Sequence, residues 1–114
     1  MKNLVVDKSI EVALLIIKYC EELEINKKYV ISKQLLKSGT SIGANIHEAQ
    51  NAESRADFIH KVKIAAKELE ETKYWLTLCE KSDNYPTNLI LKEQINQIGL
   101  IIYKILSTSI KNKN

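Results

Sequence analysis

The chain has 114 residues and a formal net charge of +3, and 45% of its residues are hydrophobic. This length suffices for one domain with a buried core, spanning residues 1–114, and excludes a two-domain enzyme. Arg55 is the one arginine among the seventeen basic residues. Because lysine is a hydrated point charge without the rigid fork of arginine, the composition favours diffuse attraction to phosphate over the reading of bases.

An all-α fold is expected, because three glycines and one proline leave few places to turn and strand-like alternation is absent. The longest early apolar run, residues 12–17, is far shorter than the ~20 residues of a membrane span. No signal peptide is recognisable, which favours a cytoplasmic protein. Cys20 and Cys79 lie far apart within apolar helical patterns. We therefore expect two buried, reduced thiols and neither a metal nor another cofactor.

Helix one is predicted from about Val5 or Asp7 to Leu23 and is apolar on two faces. The first face comprises Ile10, Ala13, Leu14, Ile17 and Cys20, and the second comprises Val12, Leu15, Ile16, Tyr19 and Leu23. Such a helix needs cover on more than one side, either at the centre of a monomer or in a homo-oligomer. Asn26 follows as a candidate left-handed C-cap.

Helix two is predicted as one continuous helix from about Tyr29 to Gln50. Its seam has the alternating three and four spacing of a packed helix and comprises Ile31, Leu35, Ser38, Ile42, Ile46 and Ala49. Gly39 and Gly43 each cost about 1 kcal/mol inside a helix, and by propensity alone this stretch is a loop. The seam nevertheless continues in phase across both glycines. Two glycines four residues apart share one face, where they let a neighbouring backbone come close.

Helices three and four complete an antiparallel up-down-up-down four-helix bundle. Ser54 and Asp57 resemble a capping box, so helix three begins at about Arg55. Its seam comprises Phe58, Val62, Ala65, Leu69, Thr72, Leu76 and Cys79. After a loop at residues 82–86, Thr87 or Asn88 caps helix four. The apolar stripe of helix four comprises Leu91, Ile95, Ile98, Ile102 and Ile105.

Two short motifs match catalytic patterns in letters but not in context. Residues 39–43 match the nucleophile elbow G-x-S-x-G, which needs a strand before it and a sheet around it. His47 and Glu48 begin the zinc motif H-E-x-x-H, but Asn51 occupies the position of the second histidine. His60 could approach His47, although such a pair is usually solvated. We therefore expect no catalytic residues, no metal ligands and no enzymatic activity.

Polar residues on helices two and three form two further candidate groups. Ser41, Asn45, Glu48 and Glu71 are predicted to form a structural polar network that fixes helix register. Within it, Asn45, Glu48 and Glu71 are expected to be buried or half-buried. Lysines one helical turn apart are candidate nucleic-acid-binding residues, namely Lys33 with Lys37 and Lys63 with Lys67. A stripe of lysines is normally only a solvated face, but its repetition around a ring would create a larger positive field.

The stretch from Ser38 to Leu76 resembles the small bacterial four-helix-bundle proteins encoded in intervening sequences of 23S ribosomal RNA genes. The resemblance covers nearly the whole chain. It is most specific at Ser41, Ile42, Asn45, Ile46, Glu48, Ala65 and Glu71.

The resemblance implies a four-helix bundle that assembles as a ring-like homopentamer. The chain is also similar to the accessory variability proteins of diversity-generating retroelements, which are basic barrels that bind nucleic acid and a reverse transcriptase. RNA or DNA is therefore one expected ligand, bound weakly through the lysine-rich faces. The alternative is a protein-protein interaction scaffold that binds a protein partner and no nucleic acid.

Overall fold

Four α-helices make up most of residues 3–111, which are the residues that the computed structural model describes. They are α1 (Leu4–Ile25), α2 (Tyr29–Ala49), α3 (Arg55–Lys81) and α4 (Leu89–Lys111). No strand occurs within this range. The all-α prediction is confirmed, as is the continuous second helix. None of the four helices is long and apolar enough to cross a membrane.

Short polar side chains set where the helices begin. The Asn3 carboxamide oxygen accepts a hydrogen bond from the Val6 amide and starts α1. The Ser54 hydroxyl accepts one from the Asp57 amide at 3.0 Å and starts α3, as the capping pattern predicts. Asn88, and not Thr87, caps α4 by accepting a hydrogen bond from the Leu91 amide at 3.0 Å.

The turn between α1 and α2 differs from the expectation. Asn26 was expected to take the left-handed conformation, but its φ is −88° and Lys27 has the positive φ of 63°. The Asn26 side chain donates to the Glu22 carbonyl at 2.8 Å while its backbone stays close to helical. The left-handed position therefore falls on Lys27, and the following amide of Lys28 donates back to the Leu23 carbonyl at 2.8 Å.

Each helix of the bundle runs antiparallel to the two helices beside it. Contacts that join the start of one helix to the end of another are those of Asn3 with Gln50, Lys61 with Glu48, Lys92 with Glu80 and Tyr19 with Pro86. Each helix packs against the next, and α4 packs against α1. In the described chain the diagonal pairs, α1 with α3 and α2 with α4, have no Cα atoms within 8 Å of each other. This arrangement is consistent with the predicted up-down-up-down topology.

The glycines of α2 bring α1 and α2 close together. A methyl group on Gly39 would lie 2.8 Å from side-chain atoms of Ile16, and one on Gly43 would lie 3.3 Å from Ser9. Both distances are shorter than ordinary van der Waals contact. At Gly39 the close approach needs a residue without a side chain, whereas the contact at Gly43 is tight. The cost of glycine in a helix interior is offset by this packing, which explains why the helix continues through them.

The two apolar faces of α1 have different environments. The second predicted face is in the core, where Val12, Ile16, Tyr19 and Leu23 are almost fully buried. On the first face, Ile10, Leu14 and Ile17 are 46%, 62% and 42% exposed. We call these three residues the outer stripe of α1. They are one turn apart on the side of the helix that points away from the core.

Candidate functional site

The residues predicted to form one polar network on α2 and α3 instead make separate local contacts. On α2, the Ser41 hydroxyl donates to the Lys37 carbonyl at 2.6 Å, and the Asn45 amide donates to the Ser41 carbonyl at 2.8 Å. Both bonds lie within one helix and span four residues. Ser41 is half-buried, and its hydroxyl is engaged by its own backbone.

Glu48 and Glu71 are exposed, in contrast to the expectation that they are buried or half-buried. Glu48 accepts a hydrogen bond from Lys61 of α3 at 2.9 Å, which raises the pKa of the Lys61 ammonium. Glu71 accepts one from the indole of Trp75 at 3.0 Å on its own helix. Long side chains of this kind reach solvent beside the helix seam, where an ion pair contributes little to stability.

The buried polar contacts involve short hydroxyls, of which Ser38 and Thr72 lie at predicted seam positions and Ser32 does not. Thr72 of α3 donates to the Ser38 hydroxyl of α2 at 2.9 Å, and both residues are fully buried. Ser32 donates to the Cys20 carbonyl of α1 at 3.1 Å. The signal that could have identified Ser38 and Thr72 is a hydroxyl residue at a seam position, where burial demands a partner.

The two thiols are buried and free. Burial raises the pKa of Cys20 to about 11, and it also raises the pKa of Cys79. Their helices, α1 and α3, lie diagonally and have no Cα atoms within 8 Å over residues 3–111. Because a disulfide requires Cα atoms less than about 7 Å apart, these two thiols cannot pair within one chain without movement of the backbone.

The motifs considered as catalytic or metal-binding lie in helical surroundings. Residues 39–43 are in the middle of α2, without the strand-to-helix turn of a nucleophile elbow. The Nδ1 atom of His47 lies 2.7 Å from the Gly43 carbonyl. Across residues 3–111, no three His, Cys, Asp or Glu side chains come together in a group that could hold a metal ion.

The lysines of α2 lie in a stretch of one charge sign. Lys33 and Lys37 are exposed, and no ion pair involves either of them in the described residues. The chain has no acidic residue between Glu24 and Glu48. Lys27 is exposed before α2, whereas Lys28 is half-buried with its ammonium 4.7 Å from the centre of the Tyr85 ring.

The lysines of α3 have acidic neighbours. Lys63 and Lys67 are also exposed and outside the ion pairs that the described chain contains. Glu70 and Glu71 follow Lys67 by three and four residues, the spacings that place side chains next to each other on a helix. Glu70 and Glu71 therefore partly cancel the positive potential near Lys67, whereas Lys33 and Lys37 lie in a stretch without acidic residues.

Comparison with known proteins identifies a family. The sequence profile of the 23S rRNA-intervening sequence protein family matches residues 1–106. A crystal structure of a protein of unknown function from the S23 ribosomal protein family of Bacteroides thetaiotaomicron VPI-5482 is similar, with 44% identity and a TM-score of 0.85. The match covers 92% of this chain and 96% of that one. No curated protein matches the chain. The chain belongs to the 23S rRNA-intervening sequence protein family.

Proposed function

We propose that this protein is a non-enzymatic subunit of a homo-oligomer that binds nucleic acid weakly through lysine contacts to phosphate. The observation that carries the proposal is the stretch between Glu24 and Glu48, which has four lysines and no acidic residue. Three of these lysines, Lys27, Lys33 and Lys37, are exposed at the first half of α2 or just before it. Flexible ammonium groups suit sequence-independent attraction to a phosphate backbone.

Assembly is part of the proposal because one chain offers few phosphate contacts. The outer stripe of α1 is an apolar surface that a further copy can cover. We favour a pentamer, in which five chains of charge +3 would carry a total of +15. Repetition of a weak site on one particle raises the overall affinity without any new kind of contact. Free, buried thiols fit a reducing compartment, so we place the protein in the cytoplasm.

The test is a titration of structured RNA, single-stranded RNA and duplex DNA at about 50, 100 and 200 mM salt. The family description makes RNA the first probe. For duplex DNA, log affinity should fall with log salt with a slope of about 0.9 per phosphate neutralised. Replacement of both Lys33 and Lys37 by glutamine should weaken binding about equally for every sequence and make that slope shallower.

The matched control is the same double change on α3, Lys63 and Lys67 to glutamine. It removes the same charge from the same particle, but from a surface where Glu70 and Glu71 already reduce the positive potential. We expect it to cost less affinity than the α2 change. Equal losses from both variants would assign binding to total charge and not to α2.

A protein-protein scaffold without nucleic-acid binding is the second candidate function. It is favoured by the outer stripe of α1, because an exposed apolar surface of this kind often marks an interaction site. If no nucleic acid shifts at about 50 mM salt, a condition that strengthens phosphate contacts, the scaffold becomes the preferred function.

A further inference from the structure

The outer stripe of α1 lies on an acidic helix. α1 carries five carboxylates against two lysines, a net charge of −3. Asp7, Glu11 and Glu21 are exposed and lie within one turn of the stripe along the helix. A partner for this surface therefore needs an apolar centre and a positive margin.

A groove between α3 and α4 has an apolar lining and a margin of two lysines and one glutamate. It has a volume of about 380 Å³, and Tyr19 of α1 contributes to its lining. Its apolar lining comprises Tyr19, Leu76, Leu89 and Ile95, and its charged margin comprises Lys73, Glu80 and Lys92. Leu89 is 77% exposed at the mouth. We call this surface the α3–α4 groove.

The charge at the groove is incompletely neutralised. Lys92 pairs with Glu80 at 3.0 Å. Lys73 has only Glu70 at 3.8 Å, beyond hydrogen-bond distance, and that carboxylate already accepts a hydrogen bond from Tyr103 at 2.7 Å. The ammonium of Lys73 is thus available to a carboxylate from outside the subunit.

The stripe and the groove also match in length. Ile10 and Ile17 are seven residues apart, as are Lys73 and Glu80 along the groove. At 1.5 Å per residue, both surfaces extend about 10 Å along a helix axis. Each therefore offers two turns of helix to the other.

The single chain exposes more surface than a compact monomer of its mass. Its accessible surface is 7339 Å², whereas a compact monomer of 13.0 kDa has about 6,300 Å². The excess of about 1,000 Å² comes with an elongated shape of 49 × 23 × 21 Å. A standard-size interface takes about 800 Å² from each partner.

We propose that the outer stripe of α1 of one copy docks into the α3–α4 groove of a second copy. The inference rests on the proposed assembly and names its interface, and it does not depend on nucleic-acid binding. α1 and α3 occupy diagonal corners of the bundle. The stripe and the groove of one subunit therefore face in different directions. In a docked pair, one subunit keeps a free groove and the other keeps a free stripe. A contact of this kind is heterologous and produces a closed ring when the rotation between copies closes.

A symmetric contact between two α1 helices is disfavoured by charge. It would bring together two helices that each carry five carboxylates against only Lys8 and Lys18, and Lys8 already pairs with Glu11 of its own helix. Docking into the groove instead places those carboxylates near Lys73. The same electrostatics predict that high salt weakens the charge pairs that fix the register of the contact, whereas it affects the apolar centre of the contact less.

The test uses two variants that each disable one half of the contact. Leu14→Glu places a charge in the outer stripe, and Leu89→Glu places one at the mouth of the groove. Both side chains are exposed, and Leu89 is in the first turn of α4, where an acid is compatible with the helix dipole. Far-UV circular dichroism and thermal melts establish that both variants fold. Val30→Glu is the matched control, because Val30 is 79% exposed on α2 and outside both surfaces.

Light scattering at micromolar concentration should report an assembly for the wild type and Val30→Glu. Each of Leu14→Glu and Leu89→Glu alone should report a monomer of 13.0 kDa. Mixed in equal amounts they should form a one-to-one dimer, because the first retains an intact groove and the second an intact stripe.

Three results would overturn the inference. If wild-type assembly survives both variants, or if the mixture stays monomeric, the subunits meet through other surfaces and the proposed assembly stands. If the wild type is itself monomeric, a different occupant covers the groove, and the assembly in the proposed function fails with it. Nucleic-acid binding is measured separately, so its failure leaves the interface result unchanged.

Discussion

Gly39 is the residue on which the close approach of α1 and α2 most depends. In Gly39→Ala, the new methyl group would lie 2.8 Å from three atoms of the fully buried Ile16 side chain. Alanine is the better helix former by about 1 kcal/mol, but forcing the two helices apart costs about 1 to 3 kcal/mol. We expect a net loss in the free energy of unfolding, measured by urea denaturation.

Gly99→Ala is the control for that prediction. The new methyl group would lie 3.2 Å from a terminal methyl group of Leu69. The end of that side chain can move by a few tenths of an ångström to accommodate it. The gain in helix propensity should then leave stability unchanged or slightly raised. If Gly39→Ala is as stable as Gly99→Ala, the glycine contact between α1 and α2 is looser than the structure shows.

Tyr103 is one of several phenol and thiol side chains whose pKa values are raised in the folded protein. Burial, followed by the hydrogen bond to Glu70, raises the pKa of Tyr103 to about 12. Burial also raises the pKa values of Tyr19, Cys20 and Cys79. In the unfolded chain these groups ionise at their ordinary values of 9.0 for thiols and 10.0 for phenols.

Stability should therefore be unaffected below about pH 9 and fall as the pH rises from there toward 12, where the unfolded state binds fewer protons than the folded state. Urea denaturation at pH 7, 9, 10 and 11 measures the fall. Tyr103→Phe cannot ionise and should lose less stability over the same interval. A free energy of unfolding that is constant up to pH 11 would contradict the raised pKa values.

At the scale of elements, periodicity predicts most of what the structure contains. The seam through Gly39 and Gly43 identifies α2 as one helix against the local propensity, because only a continuous helix keeps Leu35, Ile42 and Ile46 on one side. The caps at Ser54 and Asn88 follow from local hydrogen bonding. Such features depend on residues within a few positions of one another, so the sequence contains the information.

Features that depend on a neighbouring helix are less accessible from the sequence. Glu48 pairs with Lys61, a partner set by the register between α2 and α3. Which apolar face of α1 enters the core depends on where Gly39 and Gly43 of α2 lie, since Ile16 and Ser9 pack against them. The candidate lysines could be identified by spacing, whereas the α3–α4 groove has no signal in the pattern because it forms from three separate segments.

At the scale of the whole molecule, folding and assembly should be linked. A partner that binds only the folded chain stabilises it by mass action, and in a homo-oligomer the partner is the protein itself. The outer stripe and the groove are exposed in the single chain, so the monomer gains further apolar burial only on assembly. The melting temperature should therefore depend on protein concentration.

For the wild type, a hundredfold rise in concentration, for example from about 1 to 100 μM, should raise the melting temperature by roughly 5 °C or more. Leu14→Glu lacks the contact, and its melting temperature should not change over the same range. The two proteins should converge at the lowest concentration, because Leu14 is exposed in the monomer and its replacement removes no core contact. Differential scanning calorimetry of both proteins across the dilution series makes this measurement. A wild-type melting temperature that is independent of concentration would show that the folded chain gains no stability from other copies of itself.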